Sequence, residues 1–137
     1  MIMLDNQTNI EIDIELLESI SKTDKDIELI IVNDQTMLDI NKEQRGVSKS
    51  TDVLSFPLEN LPYLPLGSIV INSDLATIRA KEFKHSLQDE IALMFIHGLL
   101  HINGYDHECD NGEMRKEEER LIHEFKLPKS LIIRMEN

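Results

Sequence analysis

Cysteine is almost missing from this chain. Cys109 stands alone, so no internal disulfide can form and a reducing compartment is the expected setting. Tryptophan is absent and aromatics make up 4% of the residues, which leaves aliphatic side chains to build the core. No apolar run is long enough to span a bilayer, and no basic segment followed by an apolar stretch opens the N-terminus. The expectation is therefore a cytoplasmic protein with no membrane partner. Positive charge is also scarce: 14 Lys and Arg against 26 Asp and Glu leave a net charge of -12. That balance argues against broad, nonspecific attraction to nucleic acid or anionic lipid, but not against a nucleic-acid substrate held in a cleft with its own local field. Acidic residues gather in the first thirty positions and from Glu108 to Glu124. Between them Lys42, Arg45, Lys49, Arg79, Lys81 and Lys84 form the one relatively basic region.

The 137 residues read as one domain, 1–137, with enough length to bury a core. Strands are predicted at 2–4, at 27–32, at 51–57 where Pro57 closes the run, and at 68–72. Apolar residues at helical spacing predict a first helix from Thr8 or Asn9 through Ile10, Ile14, Leu17 and Ile20. A second begins at Asn33 or Asp34, turns Met37, Leu38 and Ile40 inward and stops at Gly46. A third runs from Asn72 or Ser73 toward Phe83, after a loop broken by prolines 57, 62 and 65. Ser86 with Asp89 and Glu90 resembles a capping-box start, and the residues from Ile91 to Ile96 are all apolar, so the fourth helix is surrounded by other elements. A fifth passes through Met114, Leu121, Ile122 and Phe125 and ends at Pro128, with a short turn expected at 130–133. Mixed strands and helices of this kind make an α/β or α+β domain: a small mixed sheet, surrounding helices and one central helix.

That central helix carries the chemistry. His97-Gly98-Leu99-Leu100-His101-Ile102-Asn103-Gly104-Tyr105-Asp106-His107 holds three of the five histidines. His97 and His101 lie one turn apart on one helix face. Asn103-Gly104 ends the helix, and the chain can then return His107 to the other two. Three imidazoles with an open fourth position are the donor set of catalytic zinc, which lowers the pKa of a bound water to about 7. An HxxxH pair alone is a weak signal, and the third histidine strengthens it. Where HExxH peptidases carry their general base, this chain has Gly98. Asp106 is equally placed to orient an imidazole or to make the turn. Cys109 and Met114 read as an exposed thiol and a packing residue rather than as ligands, and His85 and His123 as surface residues. Arg45, by position alone, reads as a basic residue complementing a helix dipole; its guanidinium also suits bidentate binding of a phosphate.

The eleven-residue stretch resembles the zinc signature of the YbeY family of bacterial endoribonucleases, the ribosomal RNA maturation factors. Thr51-Asp52-Val53-Leu54-Ser55-Phe56-Pro57 resembles the family's second hallmark. Asn41 and Arg45 match its N-x-x-x-R placement, Leu66-Gly67-Ser68-Ile69 its L-G-D-I strand start, and Glu90 and Met114 also fit. The resemblance implies one zinc ion per chain on His97, His101 and His107, with catalytic weight on His97 and Arg45. It implies cleavage of single-stranded RNA, a small α/β fold with a mixed sheet, and action in 3′-end maturation of 16S ribosomal RNA and ribosome quality control. Ribosomal RNA and ribosomal subunits would be the partners, with no nucleotide cofactor. Two positions depart from the pattern. Ser68 stands for an aspartate, expected to weaken a polar interaction near the site, and Ser50 for a proline, expected to loosen a loop. Two rival readings are a peptidase-like zinc hydrolase, with a carboxylate such as Asp106 standing in for the missing base, and a ribosome-assembly factor whose zinc is structural, which Cys109 as fourth ligand would support.

Overall fold

The computed structural model describes residues 1–59, 61–106 and 109–128. His107 and the turn expected at 130–133 lie outside them. Among the described residues four strands, β1 (Ile2–Asn6), β2 (Ile27–Val32), β3 (Val53–Pro57) and β4 (Gly67–Asn72), form one sheet in the order β1-β2-β4-β3. The first, second and fourth run parallel, and β3 pairs antiparallel with β4 along one edge. Among the described residues five helices are interspersed: α1 (Ile14–Ser21), α2 (Asp34–Arg45), α3 (Ser73–Glu82), α4 (Leu87–Ile102) and α5 (Glu113–Phe125). This is the small α+β domain with a mixed sheet that the sequence leads one to expect. Central parallel strands have both faces covered, which is why β2 and β4 are nearly unbroken apolar runs.

Caps set most helix boundaries as expected. Asn33 accepts from Thr36 N at the start of α2, Asn72 from Asp74 N and Leu75 N at α3, and Ser86 from Asp89 N at α4. Gly46 ends α2 with φ 68°. The first helix differs: it begins at Ile14 behind an Asp13 cap, not at Thr8 or Asn9. The side chains there are engaged in a local turn instead, with Thr8 donating from both N and Oγ1 to Asn6 Oδ1 at 3.0 and 2.7 Å while Asn6 Nδ2 reaches Ile10 O at 2.7 Å. Such side-chain bonds compete with helix formation.

Alternation along the strands divides the molecule into two layers of core. Leu29, Ile31, Ile69 and Ile71 face α4 in the main cluster, whereas Val32, Leu54 and Val70 face Met37 of α2 in a smaller one. Ser68 lies between Gly67 and Ile69 on the strand, so it shares the face of Val70 and points away from α4. Its hydroxyl donates to Glu28 Oε1 at 2.9 Å. The departure at Ser68 therefore lies across the sheet from the histidine helix, not beside it. Ser50 also differs from expectation. Its hydroxyl donates to Asp34 Oδ1 at 2.7 Å and accepts from Asn72 Nδ2 at 3.0 Å, tying the loop before β3 to the first residue of α2 and the end of β4.

The fourth helix is enclosed, with every residue from Glu90 to Leu100 buried. It packs against β3, β4, α1, α3 and α5. Close approach to the sheet depends on Gly98. A Cβ there would stand 2.8 Å from Ile69 Cγ2, on a side chain that is itself fully buried and has nowhere to go. Gly98→Ala is expected to destabilise the fold by about 1–3 kcal/mol through overpacking, read as a lower denaturation midpoint at unchanged slope.

A second prediction concerns the Ser50 network. Hydrogen bonds from Ser50 and Asn72 hold the Asp34 carboxyl below its ordinary value. A depressed folded-state pKa contributes stability above the unfolded-state value, and this is lost as pH falls through the folded one. Ser50→Ala should therefore lower stability at neutral pH, with the gap to the parent protein closing on acidification. A gap that is constant with pH would show that the hydroxyl does not act through Asp34.

Candidate active site

One turn of α4 places His97 and His101 on the same face, and the fold turns that face toward β3. His97 Nε2 and His101 Nε2 stand 3.2 Å apart, with the rings edge to face. The other nitrogen of each ring is tied to an oxygen that can only accept. His97 Nδ1 donates to Glu118 Oε2 at 3.0 Å, and His101 Nδ1 donates to the Tyr105 carbonyl at 3.1 Å. Protons on both Nδ1 atoms leave both Nε2 lone pairs directed at one point. Two lone pairs at that distance repel unless a cation lies against them. Nitrogens bound tetrahedrally to one zinc, each about 2.0–2.1 Å from it, stand about 3.3–3.4 Å apart. The pair therefore fits zinc in donor type, tautomer and spacing. His107 lies outside the described residues, and among those described no group of three or more His, Cys, Asp or Glu side chains gathers at one point.

Both tethers come from places that local sequence reading passes over. Glu118 sits on α5 in a run of glutamates that reads as a solvated face, yet it is 1% exposed. Its spacing is the available signal. Met114, Glu118 and Leu121 recur at i, i+4 and i+7, so Glu118 shares the buried stripe, and a buried carboxylate requires a partner. Met114 itself is fully buried in the core, as a packing residue would be. The Tyr105 carbonyl is presented by the turn after α4. There Gly104 takes φ 97° and its N–H bonds His101 O at 3.0 Å, while Tyr105 N bonds Leu100 O at 3.0 Å.

A cleft of about 640 Å³ opens over the two imidazoles. Alternate residues of the second motif, Thr51, Val53, Ser55 and Pro57, form one wall because they share the sheet face turned toward α4. Gly104, Tyr105 and Asp106 form the other, and Arg45 reaches the rim from the end of α2. The fold thus brings together the histidines, the edge strand and the arginine, which are far apart in the chain. Lys42 and Lys49 are exposed neighbours of Arg45 that do not line the cleft. Asp52 does, and Arg79 of α3 donates to its Oδ2 at 3.2 Å. Cys109 is exposed and is absent from the cleft wall.

His85 departs from the surface role expected of it. Its side chain is only 9% exposed and its Nε2 lies 2.6 Å from Glu90 Oε1, a carboxylate buried completely at the start of α4. Glu90 is thus more than a charge complementing the helix dipole. His123 lies on the outer part of α5, away from the cleft wall. Gly98 also gains meaning from the packing. The position where HExxH enzymes hold their base faces Ile69 of β4 with no room for a Cβ, so no carboxylate could be accommodated there.

The similarity to known proteins is extensive. A family model described as Endoribonuclease YbeY matches residues 4–126. An "Endoribonuclease YbeY" of a Nitratiruptor species is 57% identical over 137 residues, covering 98% of this chain and 95% of that protein. One from Helicobacter pylori is 53% identical over 140 residues, covering all of both chains. Among solved structures, the solution structure of TM1509 from Thermotoga maritima superposes with a TM-score of 0.63 at 27% identity, over 91% of this chain and 89% of that one. With this coverage and identity on a fold that assembles both sequence motifs around one cleft, the chain belongs to the YbeY family of endoribonucleases.

Proposed function

We propose that this endoribonuclease is zinc-dependent and cuts single-stranded RNA, acting on ribosomal RNA at the 3′ end of the 16S molecule and in ribosome quality control. His97, His101 and His107 would hold one zinc ion per chain. The observation that carries this reading is the tautomer arrangement: both Nδ1–H groups are spent on oxygen acceptors, and both Nε2 atoms converge in a cleft that Arg45 also lines. The ribosomal setting, the partnership with ribosomal subunits and a cytoplasmic location rest on family membership. They accord with the finding that no helix among the described residues is long and apolar enough to cross a membrane.

When bound, zinc would supply positive charge at a scissile phosphate and lower the pKa of water at the site. The chain's own groups do the rest. Glu118 fixes the orientation of the His97 ring, and the Tyr105 carbonyl does the same for His101. Arg45 offers a planar, permanently charged fork to the non-bridging phosphate oxygens and offsets the charge that builds there. Its exposed position suits a strand arriving from solvent. Burial of α4 from Glu90 to Leu100 keeps the ligand-bearing backbone rigid, as metal geometry demands. A peptidase reading has no base at Gly98 and would need another carboxylate, such as Asp106 of the cleft wall, in that role.

Arg45→Ala is expected to remain folded, keep its zinc and lose at least about a hundredfold in cleavage of single-stranded RNA. His97→Ala should remain folded and lose zinc and cleavage together. Full activity in either variant would remove that residue from the mechanism. Glu118→Gln tests the tether separately from turnover. Zinc affinity, measured by competition with a chelator, should fall about 10–100-fold, and an unchanged affinity would show that Glu118 is only a buried acid.

A further inference from the structure

A second groove, of about 520 Å³, adjoins the cleft, lined by Asp24, Lys25, Leu58, Leu66, Ile102 and Asn103. The two concavities share a rim made of consecutive residues. Pro57 faces the cleft and Leu58 the groove, while Gly104 faces the cleft and Asn103 the groove. Successive Cα atoms are about 3.8 Å apart, so a strand leaving the histidine pair over this rim meets the groove next. At Gly104 the rim carries no side chain; a Cβ there would find no atom within 4 Å, and φ 97° disfavours any residue that has one.

The groove is built rather than incidental. Leu66 N bonds Asp26 O at 2.8 Å, Leu58 N bonds Leu66 O at 3.2 Å, and Lys25 Nζ donates to Leu61 O at 3.1 Å. These bonds hold the proline-broken loop against the start of β2. The lining has the chemistry of a nucleobase site. Leu58, 48% exposed, with Leu66 and Ile102 offers an apolar surface to a flat ring. Asn103 contributes an amide, and Asp24 a carboxylate that only accepts. Because Asp24 offsets Lys25, the groove has little net positive charge, which favours a neutral ring over a phosphate.

We infer that this groove binds the base of a nucleotide flanking the scissile bond, and that it selects cytosine or adenine, through the exocyclic amino group, over uracil. The inference rests on the endoribonuclease reading above. The amino hydrogens of cytosine or adenine would be donated to Asp24, whereas uracil presents a carbonyl oxygen at the corresponding position.

The test is kcat/KM of the zinc-loaded protein on a set of single-stranded RNAs in which C and U are exchanged at each position flanking the cut. A preference of about tenfold for C over U is expected at one position, the size of a hydrogen bond to a charged group. Asp24→Asn, an exposed substitution, should abolish that preference, because an amide both donates and accepts. Leu58→Ser should lower kcat/KM severalfold whichever base is present at that position. RNA cleavage without a C-over-U preference at any flanking position, or a preference retained in Asp24→Asn, overturns the inference and leaves the function intact. No cleavage of any RNA by the zinc-loaded parent protein overturns both.

Discussion

The close seating of α4 on the sheet is the constraint on which the rest of the site depends. Gly98 lets the helix backbone approach Ile69 of β4 and Val53 of β3, and that approach brings one helix face level with the edge strand. The imidazoles of His97 and His101 then lie over alternate residues of β3. A helix set further out by a single methyl group would widen the cleft and shift the His97 ring relative to Glu118 of α5. The same glycine occupies the position where an HExxH peptidase would carry its base, so the residue that permits the packing also leaves no carboxylate at that position.

Around this contact the polar groups are arranged with little redundancy. Glu118 crosses from α5 to a ring on α4, and the Tyr105 carbonyl folds back from the turn that Gly104 makes possible. Each bond settles a tautomer as well as an orientation, since an imidazole that donates from Nδ1 has only Nε2 to offer. Burial strengthens the Glu118 contact, which has little water to compete with it. At the start of the same helix Glu90 and His85 form a second carboxylate–imidazole pair. One buried acid, Glu90 of α4, thus meets a histidine just before the helix, and another, Glu118 of α5, meets His97 within it.

Much is legible in the residues themselves. Caps at Asn33, Asn72 and Ser86, the glycine stop at position 46 and the apolar strands 27–32 and 68–72 announce themselves through local chemistry, and the structure keeps them. The first helix starts later than its capping pattern suggests because Thr8 and Asn6 form a local turn, an alternative that such a pattern does not reveal. Ser50 and Ser68 depart from expectation for a different reason. Whether a departure from a family pattern weakens or replaces an interaction depends on which face it occupies and what stands opposite. Glu118 is hidden by its acidic neighbours, although its spacing from Met114 and Leu121 marks the buried stripe.

By itself the sequence determined the family, the helix that carries the histidines and the residue types available for metal and phosphate, because these are written in local order and in side-chain chemistry. Only the tertiary structure decided which groups meet. It selected Glu118 and the Tyr105 carbonyl as tethers, carried Arg45 to the rim of the cleft while leaving Lys42 and Lys49 outside its walls, and placed a second groove across Gly104. The physical reason is that hydrogen bonds and clefts form between elements distant in the chain, and their partners are set by packing against a shared core, which no short stretch of residues contains.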